Sequence, residues 1–322
     1  MAASTELIWW FQQATRQDVR RVGGKGANLG ELTRAGISVP PGFIVAADAY
    51  LLVLQEAGLS QAIHGLLADL DLADLAALEA TAAQIRTRIL AAALPEHIAQ
   101  SIRAAYRDLN IPLVAVRSSA TAEDLTEASF AGQQSTFLNV HGADAVVAAV
   151  QACWASLFAA TAIAYRARHG FDHLTTAMAV PVQKMVQSEV AGVLFTADPV
   201  TGDRGMMVIE AAFGLGEALV SGAITPDLYR VSKRDLAIHT RDVSLQDWKL
   251  VRAVSGVGPA ANTEAPVPPE DQSRQKLSDD QIRTLAELGL AIERHFGTPQ
   301  DIEWAVEGTD VFIVQARPIT TL

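Results

Sequence analysis

An α+β fold divided into two packed lobes is what this sequence predicts, with one large domain as the other way of partitioning it. Three observations carry that expectation. The chain has 322 residues, more than one minimal domain needs. Half of its residues are hydrophobic and only 19% are charged, enough apolar material for a substantial core and too little charge for disorder. The pattern also changes character near residue 182, from alanine- and leucine-rich helical periodicity to short valine-rich strands separated by turn residues. That shift places lobe one at 1–182 and lobe two at 183–322.

The elements follow in order. "LIWWFQQ" reads as a first short strand. In "VGGKGANLGELTRAGISVPPGFIV" the glycines interrupt regular structure, a helix opens at about Asn28, Pro40, Pro41 and Gly42 end it, and a strand follows. Residues 51–110 read as helical, with Pro95 suited to the first turn of a new helix. "LVAV" is a buried strand, and a long helix runs from "DAVVAAV" to Gly170, its C-terminal cap. "AMAVPVQKMV", "AGVLFTA" and "MMVIEAAFG" are strands, "LYRVSKRDLAIHTRDV" is a hairpin, and 255–275 reads as a loose loop. Ser278 and Gln281 form a capping box for a helix whose buried face is Ile282, Leu285, Leu288, Ile292 and Phe296, closed by Gly297. A hairpin, "DIEWAVEGTDVFIVQARP", comes last.

A formal net charge of -11 disfavours a nucleic-acid backbone as main partner. The single cysteine, Cys153, excludes an internal disulfide or a multi-cysteine metal site and suits inert packing. Seven histidines show no zinc-like spacing, and no nucleophile elbow appears. No stretch approaches the ~20 apolar residues of a membrane span, and the N-terminus has no signal-peptide pattern, so a soluble cytoplasmic protein is expected.

Four stretches hold the polar chemistry. "RSSATAEDLTEASFAGQQST" follows a core strand, where polar groups must be solvated, bonded to one another or aimed at a ligand. "GGKGANLG" sets Lys25 in a glycine-rich turn before a helix. This is an anion site or a plain structural turn, and not a Walker motif, since no Ser or Thr follows the lysine. "FGLGEALVSG" lacks the third glycine of a dinucleotide fingerprint and leaves Glu217 a weak candidate for metal contact. In the last hairpin a three-residue turn at Gly308, Thr309 and Asp310 pairs Glu303 with Gln315 and puts Arg317 on the same side, whereas a two-residue turn turns Glu303 to the opposite face. A carboxylate and an amide oxygen suit Mg²⁺ and a guanidinium suits phosphate; an exposed face with a surface ion pair is the other reading.

Read together and in order, "VGGKGANLGEL", "VPPGFIV", "AVRSSATAEDLTEASFAGQQSTFLNV", "CWASLF", "VQKMV", "AGVLFTADPVTG", "IEAAFGLGEALVSG" and "PQDIEWAV…VFIVQARPIT" resemble the ATP-binding domain shared by phosphoenolpyruvate synthase, pyruvate phosphate dikinase and rifampicin phosphotransferase. The resemblance covers nearly the whole chain. It implies a two-lobed ATP-grasp fold that sandwiches Mg-ATP. It implies that Lys25, Arg117 and Arg317 hold phosphates, and that Gly132, Gln133, Gln134 and Thr136 belong to a loop over the triphosphate. Gln183, Lys184, Met185 and Val186 become the adenine-side segment, and Glu303 and Gln315 the Mg²⁺ ligands. The implied activity is dikinase-type: the ATP β-phosphate passes to a histidine on a separate swivelling domain, AMP and phosphate are released, and a small-molecule acceptor domain takes the phosphoryl group. No segment carrying that histidine and no substrate barrel occurs in these residues, so an excised domain or a stand-alone subunit is expected, with a non-catalytic regulatory or interaction subunit as the contrasting possibility.

Overall fold

Antiparallel pairing organises the chain. The computed structural model describes residues 6–68, 70–121, 135–253 and 261–320. Two units emerge: Met1–Gly30 with Pro41–Lys184, and Glu31–Pro40 with Met185–Leu322. Both mix helices and antiparallel sheet, which is the α+β class expected.

The first unit contains β1 (Ile8–Trp10), most of α1 (Val19–Arg34), β2 (Gly42–Val45), α2 (Ala47–Glu56), α3 (Leu59–Ala68), α4 (Leu75–Ala91), α5 (Glu96–Leu109), β3 (Leu113–Arg117), β4 (Ser119–Ala120), β5 (Thr136–His141), α6 (Ala143–Ser156), α7 (Ala160–Arg168) and β6 (Met178–Lys184). Its sheet runs β1-β2-β6-β3-β5, with β4 also on β6. The helical reading of 51–110 resolves into α2 to α5. Asp74 caps α4 by accepting from the Ala77 N–H at 3.0 Å, and Asn110 ends α5 in the left-handed region. Pro95 is the residue just before α5 rather than within its first turn.

Two expectations need correction here. The helix expected to open at Asn28 already begins at Val19 and is broken at Gly23, whose φ of 68° and ψ of 167° are not helical. The long helix expected from 144 to 170 is two helices. No glycine or proline marks the break, but the Leu157 carbonyl, left over at the end of α6, accepts from the Arg166 guanidinium.

The second unit contains β7 (Val190–Phe195), β8 (Met206–Phe213), α8 (Glu217–Val220), β9 (Asp227–Ser232), β10 (Ile238–Asp242), β11 (Trp248–Arg252), β12 (Asn262–Pro266), α9 (Asp279–Phe296), β13 (Gln300–Glu307) and β14 (Asp310–Pro318). One sheet runs β10-β9-β8-β7-β13-β14, and β11 pairs with β12. The loose loop expected at 255–275 therefore holds a strand. "NTEAP" shows no apolar alternation, and its order comes from main-chain bonds to β11. The capping box of α9 forms as expected, with Ser278 Oγ accepting from the Gln281 N–H. Ile282, Leu285 and Ile292 are buried against Leu194, Ile209, Ile302, Trp304 and Ala316 from one face of the sheet, with Leu288 and Phe296 partly buried beside them. Period two then sends the residues between those strand positions to the opposite face.

Candidate functional site

Lys25 is positioned by the break in its own helix. A Cβ at Gly23 would lie 2.2 Å from Ser119 Oγ and 2.6 Å from the Ser119 carbonyl, so only glycine lets the turn sit against that segment. The Lys25 N–H donates to Ser119 Oγ at 3.1 Å, and its ammonium donates to the Ser118 carbonyl at 2.7 Å. Ser118 directly follows Arg117, so Lys25 is anchored to the backbone next to the second cation.

Arg117 is the last residue of β3 and lies opposite Thr136. Two residues earlier Ala115 is opposite Gln183, which is itself opposite Gly42. Thr136, Arg117 and Gln183 therefore share one face of the first sheet, and Gln183 is buried there. Lys184 is in register with Val114 and so alternates to the other face. Gly132, Gln133 and Gln134 lie outside the described residues.

Met185 and Val186 belong to the second unit and are buried. Val186 packs with Ala191, Ala305, Phe312 and Val314. Beyond that apolar patch the polar face begins. Glu303 is paired with Gln315, as the three-residue turn predicted, yet the turn has two residues. Glu307 is opposite Asp310 across Gly308 and Thr309, with Gly308 at a φ of 62°. The register shifts between Trp304, opposite Ile313, and Glu303, opposite Gln315. Val314 is the extra residue of a β-bulge, and the bulge restores the facing that the shorter turn would have lost.

The row continues across the sheet. Glu303 is opposite Val193, and Val193 is opposite Glu210. One step along, Asp301 is opposite Arg317, whose Nε and Nη2 both donate to Asp301 Oδ2 at 2.9 Å. Arg317, expected to steady phosphates, is thus an ion-pair partner in this structure. Glu210 and Asp301 were not singled out from the sequence. The signal was present in "VIEAAF" and "DIEW", where each acid alternates with buried apolar residues.

These carboxylates strain one another. Burial pushes the Asp301 carboxyl above the ordinary range, Arg317 pulls it back, and Glu303 pushes it further up. Burial also raises Glu210, and Asp301 adds to the rise. The Gln315 Oε1 is buried and accepts no hydrogen bond among the described residues. An unsatisfied amide oxygen in one row with a carboxylate, on a face of crowded negative charge, is a fit for a hard divalent cation. The described residues hold no group of three or more His, Cys, Asp and Glu arranged for a metal ion. A small protein donor set of this kind matches Mg²⁺, which is usually bound by one or two carboxylates together with substrate phosphates.

The other candidates have plainer roles. Glu217 accepts from Asn262 Nδ2 at 3.1 Å. Cys153 is buried, and desolvation pushes its thiol up, away from reactivity. No single helix among the described residues is long and apolar enough to cross a membrane.

Comparison with known proteins decides the family. The model described as pyruvate phosphate dikinase, AMP/ATP-binding domain, matches residues 19–322. The chain belongs to that family. Within the AMP/ATP-binding domain family, it is 46% identical over 325 residues to a probable phosphoenolpyruvate synthase of Methanocaldococcus jannaschii, covering 99% of this chain and 27% of that protein. It is 43% identical over 358 residues to a phosphoenolpyruvate synthase of Pyrococcus furiosus, covering 98% of this chain and 44% of that protein. It is 44% identical over 321 residues to a rifampicin phosphotransferase of Streptomyces, covering 99% of this chain and 36% of that protein. The chain thus spans between about a quarter and a half of the length of these relatives.

Proposed function

We propose that this chain is the ATP-using part of a dikinase-type phosphotransferase with an ATP-grasp fold, binding Mg-ATP and passing the β-phosphate to a histidine on a separate domain, with AMP and phosphate as products. The observation that carries the reading is the row of Glu303 and Gln315, with a buried amide oxygen that accepts no hydrogen bond among the described residues. In this reading Glu303 and Gln315 hold Mg²⁺, which supplies charge neutralisation to the polyphosphate when bound. Lys25 and Arg117 contact phosphate oxygens. Arg317 contacts phosphate as well as Asp301, which fixes its guanidinium in place. Gly132, Gln133, Gln134 and Thr136 cover the phosphates, and the 183–186 segment takes the adenine. The protein's contribution is positioning and charge, as in other phosphoryl transfers.

The relatives' greater length supports a phosphohistidine domain and a small-molecule acceptor domain outside these residues. We propose the phosphoenolpyruvate synthase branch for the parent activity, in a soluble cytoplasmic setting. The near-equal identity to a rifampicin phosphotransferase supports an antibiotic-phosphorylating parent as a second reading.

Incubation of the chain with β-labelled ATP, Mg²⁺ and the histidine domain of a relative tests transfer. Label on histidine together with AMP is expected. Persistent absence of both, with ATP still bound, would instead favour a regulatory subunit.

A further inference from the structure

Away from these polar faces, the first unit buries a positive charge that no group of opposite sign accompanies among the described residues. Arg166 of α7 is 1% exposed. Its Nε donates to His173 Nδ1 at 3.1 Å, and its Nη2 donates to the Leu157 carbonyl at 2.6 Å. The guanidinium carbon lies 5.4 Å from the centre of the Phe158 ring. Nη1 has no partner. Two further donors of the first unit share that condition, and one of them, Tyr50, is near enough to Arg166 for the two groups to interact electrostatically. The Tyr50 hydroxyl of α2 and the Trp154 indole N–H of α6 are buried with no hydrogen-bond partner among the described residues, and their rings are 6.2 Å apart, tilted by 49°.

The chemistry of the set is one-sided. A guanidinium and an indole N–H only donate, and a phenol hydroxyl donates readily. No carboxylate pairs with Arg166 among the described residues. His173 offers a neutral ring nitrogen as acceptor, so it brings no negative charge. Tyr50 does not supply one either, because burial pushes its pKa well above the ordinary phenol value. The Arg166 guanidinium is pulled down to about 10 by the same burial, the mark of a cation short of a counter-charge. An uncompensated buried charge is strongly destabilising, because its lost hydration is not replaced. A water molecule accepts about two hydrogen bonds and carries no charge, so it does not balance this set.

We infer that Arg166 Nη1, Tyr50 Oη and Trp154 Nε1 form a buried site for a small monovalent anion of the halide class, which neutralises the guanidinium and ties α2, α6 and α7 together. The site is independent of nucleotide. Anion binding to the folded chain alone raises its melting temperature by mass action.

Thermal unfolding of the chain in sodium chloride or bromide, against sodium gluconate at equal ionic strength, tests the inference. A saturable rise of about 3 °C with halide is expected. Tyr50→Phe keeps the ring and removes one donor, and its halide response should be clearly smaller. Arg166→Gln should lose the response entirely. A crystal grown in bromide should show anomalous scattering against Arg166 Nη1. Equal melting in halide and gluconate, an unchanged response in Tyr50→Phe, or bromide found on the surface alone would each overturn it.

Discussion

At the scale of single residues, the informative side chains are those whose environments conflict with their chemistry. Gln315 has a buried oxygen that accepts no hydrogen bond among the described residues. Gln315→Leu should leave the metal-free chain as stable as wild type or more so, because an unmet polar group is removed. Its Mg-dependent nucleotide affinity should fall by about tenfold or more. Denaturant unfolding and titration calorimetry on the same variant separate the two effects; loss of stability with unchanged affinity would make Gln315 a packing residue. Glu210 gives a pH test. Its folded pKa lies above its unfolded value, so the folded state holds that proton more tightly. Stability is then lost as pH rises from the unfolded pKa, roughly 4.3, through the folded one. Glu210→Gln removes that loss. The variant should melt higher than wild type at pH 7, with the gain vanishing below about pH 4. A constant offset at every pH would show that the carboxyl does not titrate abnormally.

At the scale of elements, register and local backbone conformation decide what the side chains can do. The pairing of Glu303 with Gln315 was legible from alternation and a turn of assumed length. The bulge at Val314 was not, because nothing in "FIVQAR" distinguishes an extra residue from a regular one; the shift appears only when Ile313 and Ala316 must both face the core. The glycine-rich turn was visible as a break, yet its placement was not, since the reason for Gly23 is a contact with Ser119, far along the chain. The split between α6 and α7 escaped for a similar cause, being marked by Arg166 rather than by a local breaker. Asp301 and Glu210 were not legible as site residues because they carry no ligand-binding motif of their own, although strand alternation places both on the polar face. Gly23→Ala should cost about 1–3 kcal/mol, from the positive φ and the clash with Ser119, and should weaken ATP binding by displacing Lys25. Chemical denaturation checks the first part. A fully stable variant would mean that the turn is not held as described.

At the scale of the molecule, the chain divides its candidate chemistry between two units. The cations Lys25 and Arg117 belong to the first, and the oxygen donors Glu303 and Gln315 to the second. The α+β class was legible from the change of pattern near residue 182. The assignment of residues 31–40 to the second unit was not, since "ELTRAGISVP" reads as a continuation of its helix and turn while Leu32 is buried among the second unit's apolar residues. The most direct measurement of the central claim is calorimetric titration of Mg-ATP into wild type, Arg117→Ala and Glu303→Ala. Both variants, one from each unit, should bind about 10- to 100-fold more weakly than wild type, the loss of a charge-assisted contact in each case. Equal affinity in all three proteins would contradict the account.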